Sequence, residues 1–338
     1  MADTERRFLV EGSRCIRCAA CTSLAPGIFE MKDGPSRVVR QPRVSEVSRC
    51  EAALLNCPTS AIRAKSESVE ADLSVPIEST TNLFDILAIE AEAARWKLGD
   101  IAWDKVNPSV VTPDVRTLVR EMAFSEHATY SATQRFLQDF YDDVDITRWV
   151  AIWFYEETRH PHVLMQWLSH CGETFGDDFV QRARVSTPFM KSRIGTLVTN
   201  VISEVTAAHA YHTLARTTAE PVLAKIAMNI AGDEARHAAS FFRFARLRIE
   251  HAENPERARI DGLKVLSAWL SGTGHVTHPV NQMLERLEAA PPAGVTGIDF
   301  GSVKTRVIRI LGLLLDLPLR APEDVDIHLR AFVAGRPI

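Results

Sequence analysis

From residue 82 to the carboxyl terminus, apolar residues recur at the three- and four-residue spacing of helices that bury one face. Outside residues 7–64, the sequence shows no strand-like alternation of apolar and polar positions. Thr112-Pro113 favours a helix start, and Asp145 is a candidate cap for a helix that ends at Gly172. The pattern predicts helices over residues 82–98, 114–140, 145–171, 189–216 and 220–251, with weaker helices after residue 252.

Composition places the chain among ordinary globular proteins. Its 338 residues favour two domains, and 46% are hydrophobic while 24% are charged. A formal net charge of −4 without a basic tail does not indicate a nucleic-acid partner. Apolar runs stay short of the roughly 20 residues that a membrane helix needs, and the amino terminus lacks the apolar region of a signal peptide. We therefore expect a cytoplasmic protein with neither nucleic acid nor membrane as a partner.

Five of the six cysteines lie before residue 60, and four of them have the spacing of metal ligands. Cys15, Cys18 and Cys21 follow one another as C-x2-C-x2-C, and Cys57 is followed by Pro58. Three close cysteines with a remote Cys-Pro are typical of a chain that binds one iron–sulfur cluster. The alternatives are a disulfide pair, which is rare in the cytosol, and a zinc site, which seldom has this spacing. We predict that these four cysteines bind one cluster.

Residues 7–64 resemble the bacterial single-cluster ferredoxins. The similarity includes Ala25-Pro-Gly-Ile-Phe29 after the cysteine triplet and Cys57-Pro-Thr-Ser-Ala-Ile62 at the end. The resemblance implies a small α+β domain that holds a [4Fe-4S] cluster and receives electrons from an external reductase. Some relatives join the positions of Ala25 and Cys50 by a disulfide. Because residue 25 is alanine here, the resemblance implies that Cys50 is a buried free thiol.

Two Glu-x-x-His motifs lie in apolar helical segments, and each follows a predicted helix with a lone Glu in apolar surroundings. Residues three apart lie one turn apart on the same helix face. The order Glu, Glu-x-x-His, Glu, Glu-x-x-His is the ligand set of a carboxylate-bridged di-iron site in a four-helix bundle. The assignment is Glu157 and Glu234 as bridges, Glu126 with His160 at one iron, and Glu204 with His237 at the other.

Neighbouring charged residues are candidates for completing this site. A metal-bound imidazole needs a partner on its second nitrogen, and Asp233 and Glu156 each adjoin a predicted ligand. Arg159 and Arg236 are expected to join them in a buried charge network. Six buried ionisable ligands would be very costly without metal or partners to compensate them. The ligand types suit iron, and manganese at one position is the alternative.

The segments Glu-Glu-Thr-Arg-His (156–160) and Asp-Glu-Ala-Arg-His (233–237) resemble the paired motifs of the soluble acyl-carrier-protein desaturases. Trp153 and Ser125-Glu126 fit the same family. The resemblance implies a mainly α protein, a ferritin-like four-helix bundle with extra helices, that uses two non-haem irons and O2 as co-substrate. Where the family has Thr three residues after the third Glu, this chain has Ala207 with Thr206 beside it. The candidate catalytic residues are Trp153, Asp233 and Thr206.

For several residues near the motifs, the sequence allows either a functional or a structural role. His127, His209 and His212 are candidates for a further imidazole ligand or for ordinary hydrogen-bonded histidines. Tyr211 and Trp153 are candidates for carrying a radical or for packing in the core.

The domains expected are a ferredoxin-like domain at 1–66, a polar linker at 67–80, the di-iron bundle at 81–251 and a helical extension packed on it at 252–338. The composite predicts an O2-dependent desaturase or monooxygenase with a built-in ferredoxin donor. Its expected substrate is an acyl or aminoacyl compound, free or carrier-bound, and we expect a homodimer. The alternatives are a di-iron N-oxygenase of an amine and a ferritin- or rubrerythrin-like protein that handles iron or peroxide.

Overall fold

The computed structural model divides into two compact units, residues 1–95 and 96–338. The predicted linker at 67–80 lies outside the described residues. Those described are 7–15, 20–25, 27–32, 34–55, 57, 61–65, 83–184, 192–272 and 300–334.

The first unit is a small α+β domain with two antiparallel strand pairs. Its helices pack on a core that includes Phe8, Ile28, Phe29 and Cys50. Helix α3 contacts α2, so it belongs to this unit, although the sequence interpretation starts the helical bundle at residue 81. The pairs are β1 (Arg7–Val10) with β4 (Ile62–Lys65) and β2 (Phe29–Glu30) with β3 (Arg37–Val38), and the helices are α1 (Ala20–Leu24), α2 (Val47–Leu55) and α3 (Leu83–Ala94).

The second unit is a bundle of long helices with shorter helices around it. Helices α8 and α9 pack along each other, α4 and α5 pack on α6, and α6 contacts α9. Helices α10 and α11 cover α8 and α9, and α12 packs on α10. The mainly α architecture is therefore confirmed. Its helices are α4 (Pro113–Glu126), α5 (Thr129–Asp139), α6 (Val144–His170), α7 (Asp177–Ala183), α8 (Arg193–Thr217), α9 (Pro221–Glu250), α10 (Pro255–Leu270), α11 (Phe300–Leu315) and α12 (Pro322–Val333).

The single helix predicted over residues 114–140 is wrong, because the structure has two helices there. At the junction the backbone N–H groups of His127 and Ala128 donate to the carbonyls three residues earlier, at Phe124 and Ser125. This tighter 3₁₀ bonding turns the chain directly after Glu126. The break between the two helices directly follows Glu126, a predicted metal ligand. The spacing of apolar residues continues across the break and therefore does not reveal it.

The start of α6 also differs from the prediction. Asp143, rather than Asp145, caps the helix, since its carboxylate accepts a hydrogen bond from the N–H of Ile146 at 3.1 Å. Asp145 lies in the first helical turn instead. At the other end the chain leaves the helix through Gly172, whose φ of +87° glycine adopts without strain. None of the described helices has the length and apolar character needed to cross a lipid bilayer.

Candidate metal centres

Six acidic and imidazole side chains from four helices meet in the core of the second unit. None of them is more than 8% exposed. They form two groups, and within each group one ligand atom per residue lies within 4.8 Å of the others. Glu157 and Glu234 belong to both groups, which is the grouping of the sequence assignment. The first group adds Glu126 of α4 and His160 of α6, and the second adds Glu204 of α8 and His237 of α9.

The Nδ1 atoms of both imidazoles face the carboxylates. Nδ1 of His160 lies 3.2 Å from Oε1 of Glu234, and Nδ1 of His237 lies 2.9 Å from Oε1 of Glu157. Within the described part of the chain, neither Nδ1 atom has a hydrogen bond of acceptable geometry, and neither has Oε1 of Glu157. Buried polar atoms are normally satisfied. Inward-facing imidazole nitrogens beside carboxylate oxygens are the donor types that bind a transition-metal cation, so the residues fit such an ion.

The outward nitrogen of each imidazole contacts a carboxylate of the other Glu-x-x-His helix. Nε2 of His160 lies 3.2 Å from Oδ2 of Asp233, and Nε2 of His237 lies 2.9 Å from Oε2 of Glu156. When Nε2–H donates to a carboxylate, the Nδ1 lone pair is left for a metal. Arg236 joins the two carboxylates, at 2.6 Å from Glu156 and 3.0 Å from Asp233.

The charge network shifts the pKa of both imidazoles and of their partners. Burial opposes protonation of His160, but Asp233, Glu126 and Glu234 outweigh it and raise the pKa of that imidazole well above its ordinary value. Burial also opposes ionisation of Asp233, yet Arg236 outweighs it and holds the pKa of that carboxyl below its ordinary value. Asp233 is therefore an anion that orients His160.

Trp96 is a member of this network that the sequence analysis missed. Its Nε1–H donates to Oδ2 of Asp233 at 2.7 Å, across 137 positions of sequence. Arg159, predicted to join the carboxylate network, donates instead to the carbonyl oxygen of Trp96, and its guanidinium lies 4.1 Å from the centre of the Trp96 ring. No local signal in the sequence points to a contact between residues so far apart.

Among the described residues, Trp153, Thr129 and Tyr211 donate hydrogen bonds to the predicted ligands directly. Trp153 Nε1–H donates to Glu204 at 3.1 Å, and the Thr129 hydroxyl donates to Glu157 at 3.1 Å. The hydroxyl of buried Tyr211 donates to Oε1 of Glu126. Thr129 is a second residue that the sequence analysis missed, because it follows the unpredicted break between α4 and α5. Trp153 is also packed against aromatic rings on α5 and α9, so it combines a packing contact with its hydrogen bond.

The other candidates are not members of the two ligand groups. The Thr206 hydroxyl donates to the carbonyl of Ile202 at 2.7 Å, within its own helix, and is not placed on a predicted ligand by this bond. His127, His209 and His212 belong to neither group. Of the three candidate catalytic residues, Trp153 and Asp233 therefore contact predicted ligands. The hydroxyl of Thr206 instead bonds to a backbone carbonyl of its own helix.

Two of the ligand carboxylates, Glu126 and Glu204, resist ionisation because they are buried near other carboxylates. Burial and then the charges of Glu234 and Glu157 raise the pKa of Glu126 to about 7. Burial and then the charges of Glu157 and Glu234 raise the pKa of Glu204 well above its ordinary value. A divalent cation would remove this repulsion, which is the electrostatic reason for the site to bind one.

In the first unit, Cys15, Cys21 and Cys57 form no disulfide with one another, and Cys18 lies outside the described residues. Backbone N–H groups point at two of the sulfurs, from Ser36 to Cys15 at 3.3 Å and from Ala61 to Cys57 at 3.2 Å. Iron-bound thiolates accept such bonds, so these residues fit an iron–sulfur cluster.

Cys50 is a free thiol and fully buried beside Ala25 in the core, as expected. Burial raises the pKa of this thiol to about 11, so it is protonated and inert at neutral pH. It belongs to the packing of the domain rather than to the cluster ligands.

The fold and the two sites define a ferritin-like helical protein that carries a ferredoxin domain. Residues 10–64 match the family described as the 4Fe-4S single cluster domain of Ferredoxin I, and residues 88–245 match the ferritin-like domain family. The chain therefore contains both domains, and this part of the resemblance is confirmed. The closer likeness to the desaturases stays a prediction.

A solved structure of an R2-like ligand-binding oxidase shares the fold of this chain. That structure, a single-residue mutant with an aerobically reconstituted Mn/Fe cofactor, has a TM-score of 0.50 and 16% identity, covering 73% of this chain and 96% of that chain. Another mutant, with an anaerobically reconstituted Mn/Fe cofactor, has a TM-score of 0.48 and 13% identity over the same shares. The comparison with curated proteins gives no match.

Proposed function

We propose that this protein is an O2-dependent non-haem di-iron oxidoreductase, a desaturase or monooxygenase, with a built-in ferredoxin electron donor. The observation that carries the proposal is the convergence of four carboxylates and two inward-facing imidazoles in one buried core. When bound there, two irons supply the redox chemistry with O2 that the protein's own side chains lack.

Two metal ions fit this site better than one. The ligand groups share Glu157 and Glu234, so these carboxylates would bridge two positions. Fully ionised, the four carboxylates would carry four negative charges, which two divalent cations would balance. Oxygen and imidazole ligands suit iron, and the same ligand types suit manganese. The Mn/Fe cofactor of the R2-like ligand-binding oxidase makes manganese the alternative at one position.

The surrounding residues would hold the site in one geometry. Asp233 and Glu156 orient the imidazoles, and Arg236 keeps both acids ionised. Thr129, Trp153 and Tyr211 each fix one carboxylate by a hydrogen bond. The apolar core around α6 and α9 excludes water from these bonds, which strengthens them.

The partners proposed from the sequence complete this function. They are an acyl or aminoacyl substrate, free or carrier-bound, an external reductase for the ferredoxin domain, and a second copy of the chain in a homodimer. The desaturase resemblance supports the substrate class. The ferredoxin family of residues 10–64 supports the reductase, because such domains carry single electrons from a donor.

Metal analysis of the full chain, purified without added metals, tests the proposal. We expect about six irons per chain, four with acid-labile sulfide in the ferredoxin domain and two in the bundle. We also expect O2 consumption with a reductase and NADH, which Cys15→Ala abolishes. Zinc in the bundle, or full steady turnover by Cys15→Ala, would contradict the proposal. Uptake of many irons as a mineral core would favour the storage alternative.

A further inference from the structure

Ser36 contacts two of the predicted cluster cysteines with two different groups. Its backbone N–H donates to Sγ of Cys15 at 3.3 Å, and its hydroxyl oxygen lies 3.1 Å from Sγ of Cys21. Ser36 is 4% exposed and Cys21 is 7% exposed, so water competes little for the contact between the hydroxyl and Cys21. One residue therefore places two hydrogen-bonding groups on two sulfurs.

The local fold holds Ser36 in this position. It directly precedes β3, whose residues pair with β2 in the register Glu30 to Arg37 and Phe29 to Val38. The N–H of Val39 adds a bond to the carbonyl of Ile28 at 2.9 Å. Since Ile28 and Phe29 are buried in the core of the domain, the strand cannot shift without disturbing that core.

The direction of the hydroxyl bond follows from the chemistry of an iron-bound cysteine. A cysteine that binds iron is a thiolate and has no proton to donate. The hydroxyl of Ser36 must then be the donor, as its backbone N–H already is for Cys15. Hydrogen bonds to charged acceptors are stronger than those between neutral groups.

We propose that Ser36 sets the reduction potential of the ferredoxin domain, with its hydroxyl raising that potential through Cys21. Reduction adds one electron from an external one-electron donor and transfers no proton at Ser36. The added negative charge is shared with the cysteine sulfurs, so a donor on Cys21 stabilises the reduced state more than the oxidised state. Hydrogen bonds to sulfur are a recognised influence on such potentials.

This inference rests on the proposed cluster, but not on the chemistry proposed for the bundle. Its test uses the full chain with the cluster assembled, and the reduced fraction is followed by electron paramagnetic resonance during a redox titration. The variants are Ser36→Ala, which removes the hydroxyl and keeps the backbone donor, and Ser36→Thr, which keeps both. Ser45→Ala, at an exposed position of the same domain, is the matched control.

At the wild-type midpoint potential, we expect the ratio of reduced to oxidised cluster in Ser36→Ala to fall about tenfold, equivalent to about 59 mV for one electron. Ser36→Thr and Ser45→Ala should stay within about twofold of the wild type. An unchanged midpoint in Ser36→Ala at full iron and sulfide content would overturn the inference. A wild-type chain that assembles no cluster would instead contradict the proposed function.

A second measurement covers a Ser36→Ala chain that fails to retain its cluster. The wild type and Ser36→Thr are transferred briefly to D2O, and the reduced cluster is examined by pulsed electron paramagnetic resonance. A hydroxyl proton exchanges quickly, whereas buried backbone amides open slowly. We expect a deuteron coupled to the cluster within minutes in both proteins, and its absence would overturn the inference.

Discussion

His160 and Asp233 lie 73 positions apart in the chain, yet Nε2 of the imidazole is 3.2 Å from Oδ2 of the carboxylate. The mirror contact joins His237 to Glu156 at 2.9 Å. Each acid precedes a predicted metal ligand on its own helix and orients the imidazole of the other helix. The two Glu-x-x-His helices are thus joined by two imidazole–carboxylate contacts that lie outside the ligand groups. Arg236 contacts the carboxylates of both.

Asp233→Asn should weaken both metal binding and stability. The substitution keeps the shape of the side chain but removes the charge that orients His160 and balances buried Arg236. Loss of such a partner costs about 10–100-fold in metal affinity. Removing one partner of a buried ion pair costs up to about 3–5 kcal/mol, and the retained contact of Arg236 with Glu156 places the expected cost at the lower end. Chelator competition and urea unfolding measure the two effects.

Asp261→Asn is the control for this experiment, because Asp261 is a partly exposed residue of α10 that pairs with Arg257. It should change the free energy of unfolding by less than about 1 kcal/mol. Equal metal affinity in Asp233→Asn and wild type would show that the carboxylate does not orient His160.

Glu157→Gln and Glu126→Gln should differ in the number of metals they lose. Glu157 belongs to both ligand groups, whereas Glu126 belongs to one. We expect Glu157→Gln to lose about two bundle irons and Glu126→Gln about one. Total iron, corrected for the cluster by acid-labile sulfide, measures this loss. Glu250→Gln, at an exposed position of α9, should lose none, and identical losses in the two site variants would contradict the bridging assignment.

Thr129→Val should lower bundle metal affinity while Thr206→Val leaves it within about twofold. Thr129 donates to the predicted ligand Glu157, whereas Thr206 donates to the carbonyl of Ile202 in its own helix. A hydrogen-bond partner of a ligand is worth about tenfold or more in affinity. Both threonines are buried, so the two substitutions are matched in setting. Chelator competition measures the affinity, and the reverse order would restore Thr206 as the residue that acts on the site.

Cys57→Ala and Cys50→Ala should separate cluster ligation from packing. Cys57 is a predicted cluster ligand, and its loss should remove the acid-labile sulfide and about four of the irons. Cys50 is fully buried with a raised pKa, so Cys50→Ala should retain the cluster and lose only about 1 kcal/mol of stability. Iron, sulfide and visible absorbance report the outcome. Retention of the cluster in Cys57→Ala would remove that residue from the ligand set.

Binding of ferrous iron to the bundle should strengthen as the pH rises through about 7. The pKa of Glu126 is raised to about 7, first by burial and then by the charges of Glu234 and Glu157, so below that pH a proton competes with the metal. The raised pKa of His160 and His237 acts in the same direction, since both must lose a proton to bind metal. Anaerobic titration should show proton release on binding.

The same shifts set the pH dependence of stability without added iron. A carboxyl whose folded pKa lies above its unfolded value stabilises the fold below the unfolded pKa, and that stability is lost as the pH rises through the folded pKa. For Glu126 the window runs from its ordinary value of 4.5 to about 7. The rise in melting temperature on adding ferrous iron should therefore be larger at pH 8 than at pH 6. Equal rises in melting temperature at the two pH values would contradict the raised pKa of Glu126.

Much of the site could be predicted from local pattern. Glu157 and His160 are three apart on one helix, and Glu234 and His237 repeat the spacing, so each pair shares a face whatever surrounds it. The prediction of Cys15, Cys18, Cys21 and Cys57 as cluster ligands has a similar basis, since thiols at that spacing have few other uses. The helical periodicity likewise indicated the long helices of the bundle.

Packing decided what the periodicity left open. The turn after Glu126 depends on tight 3₁₀ bonding that a run of helix-compatible residues does not reveal. Asp143 rather than Asp145 caps α6 because Asp143 has the extended backbone that lets its carboxylate accept a hydrogen bond from the N–H of Ile146. Asp145 already lies within the first helical turn.

The sequence by itself determined most of the long helices and the spacing of the candidate ligands along each one, because helix periodicity follows from interactions between residues a few positions apart. Only the tertiary structure decided that Asp233 serves His160, that Trp96 and not Arg159 bonds Asp233, and that Ser36 reaches two sulfurs. The physical reason is that these contacts depend on how far each helix or strand is rotated and shifted against its neighbour. That geometry is set by the packing of the whole core, and no short stretch of the chain encodes it.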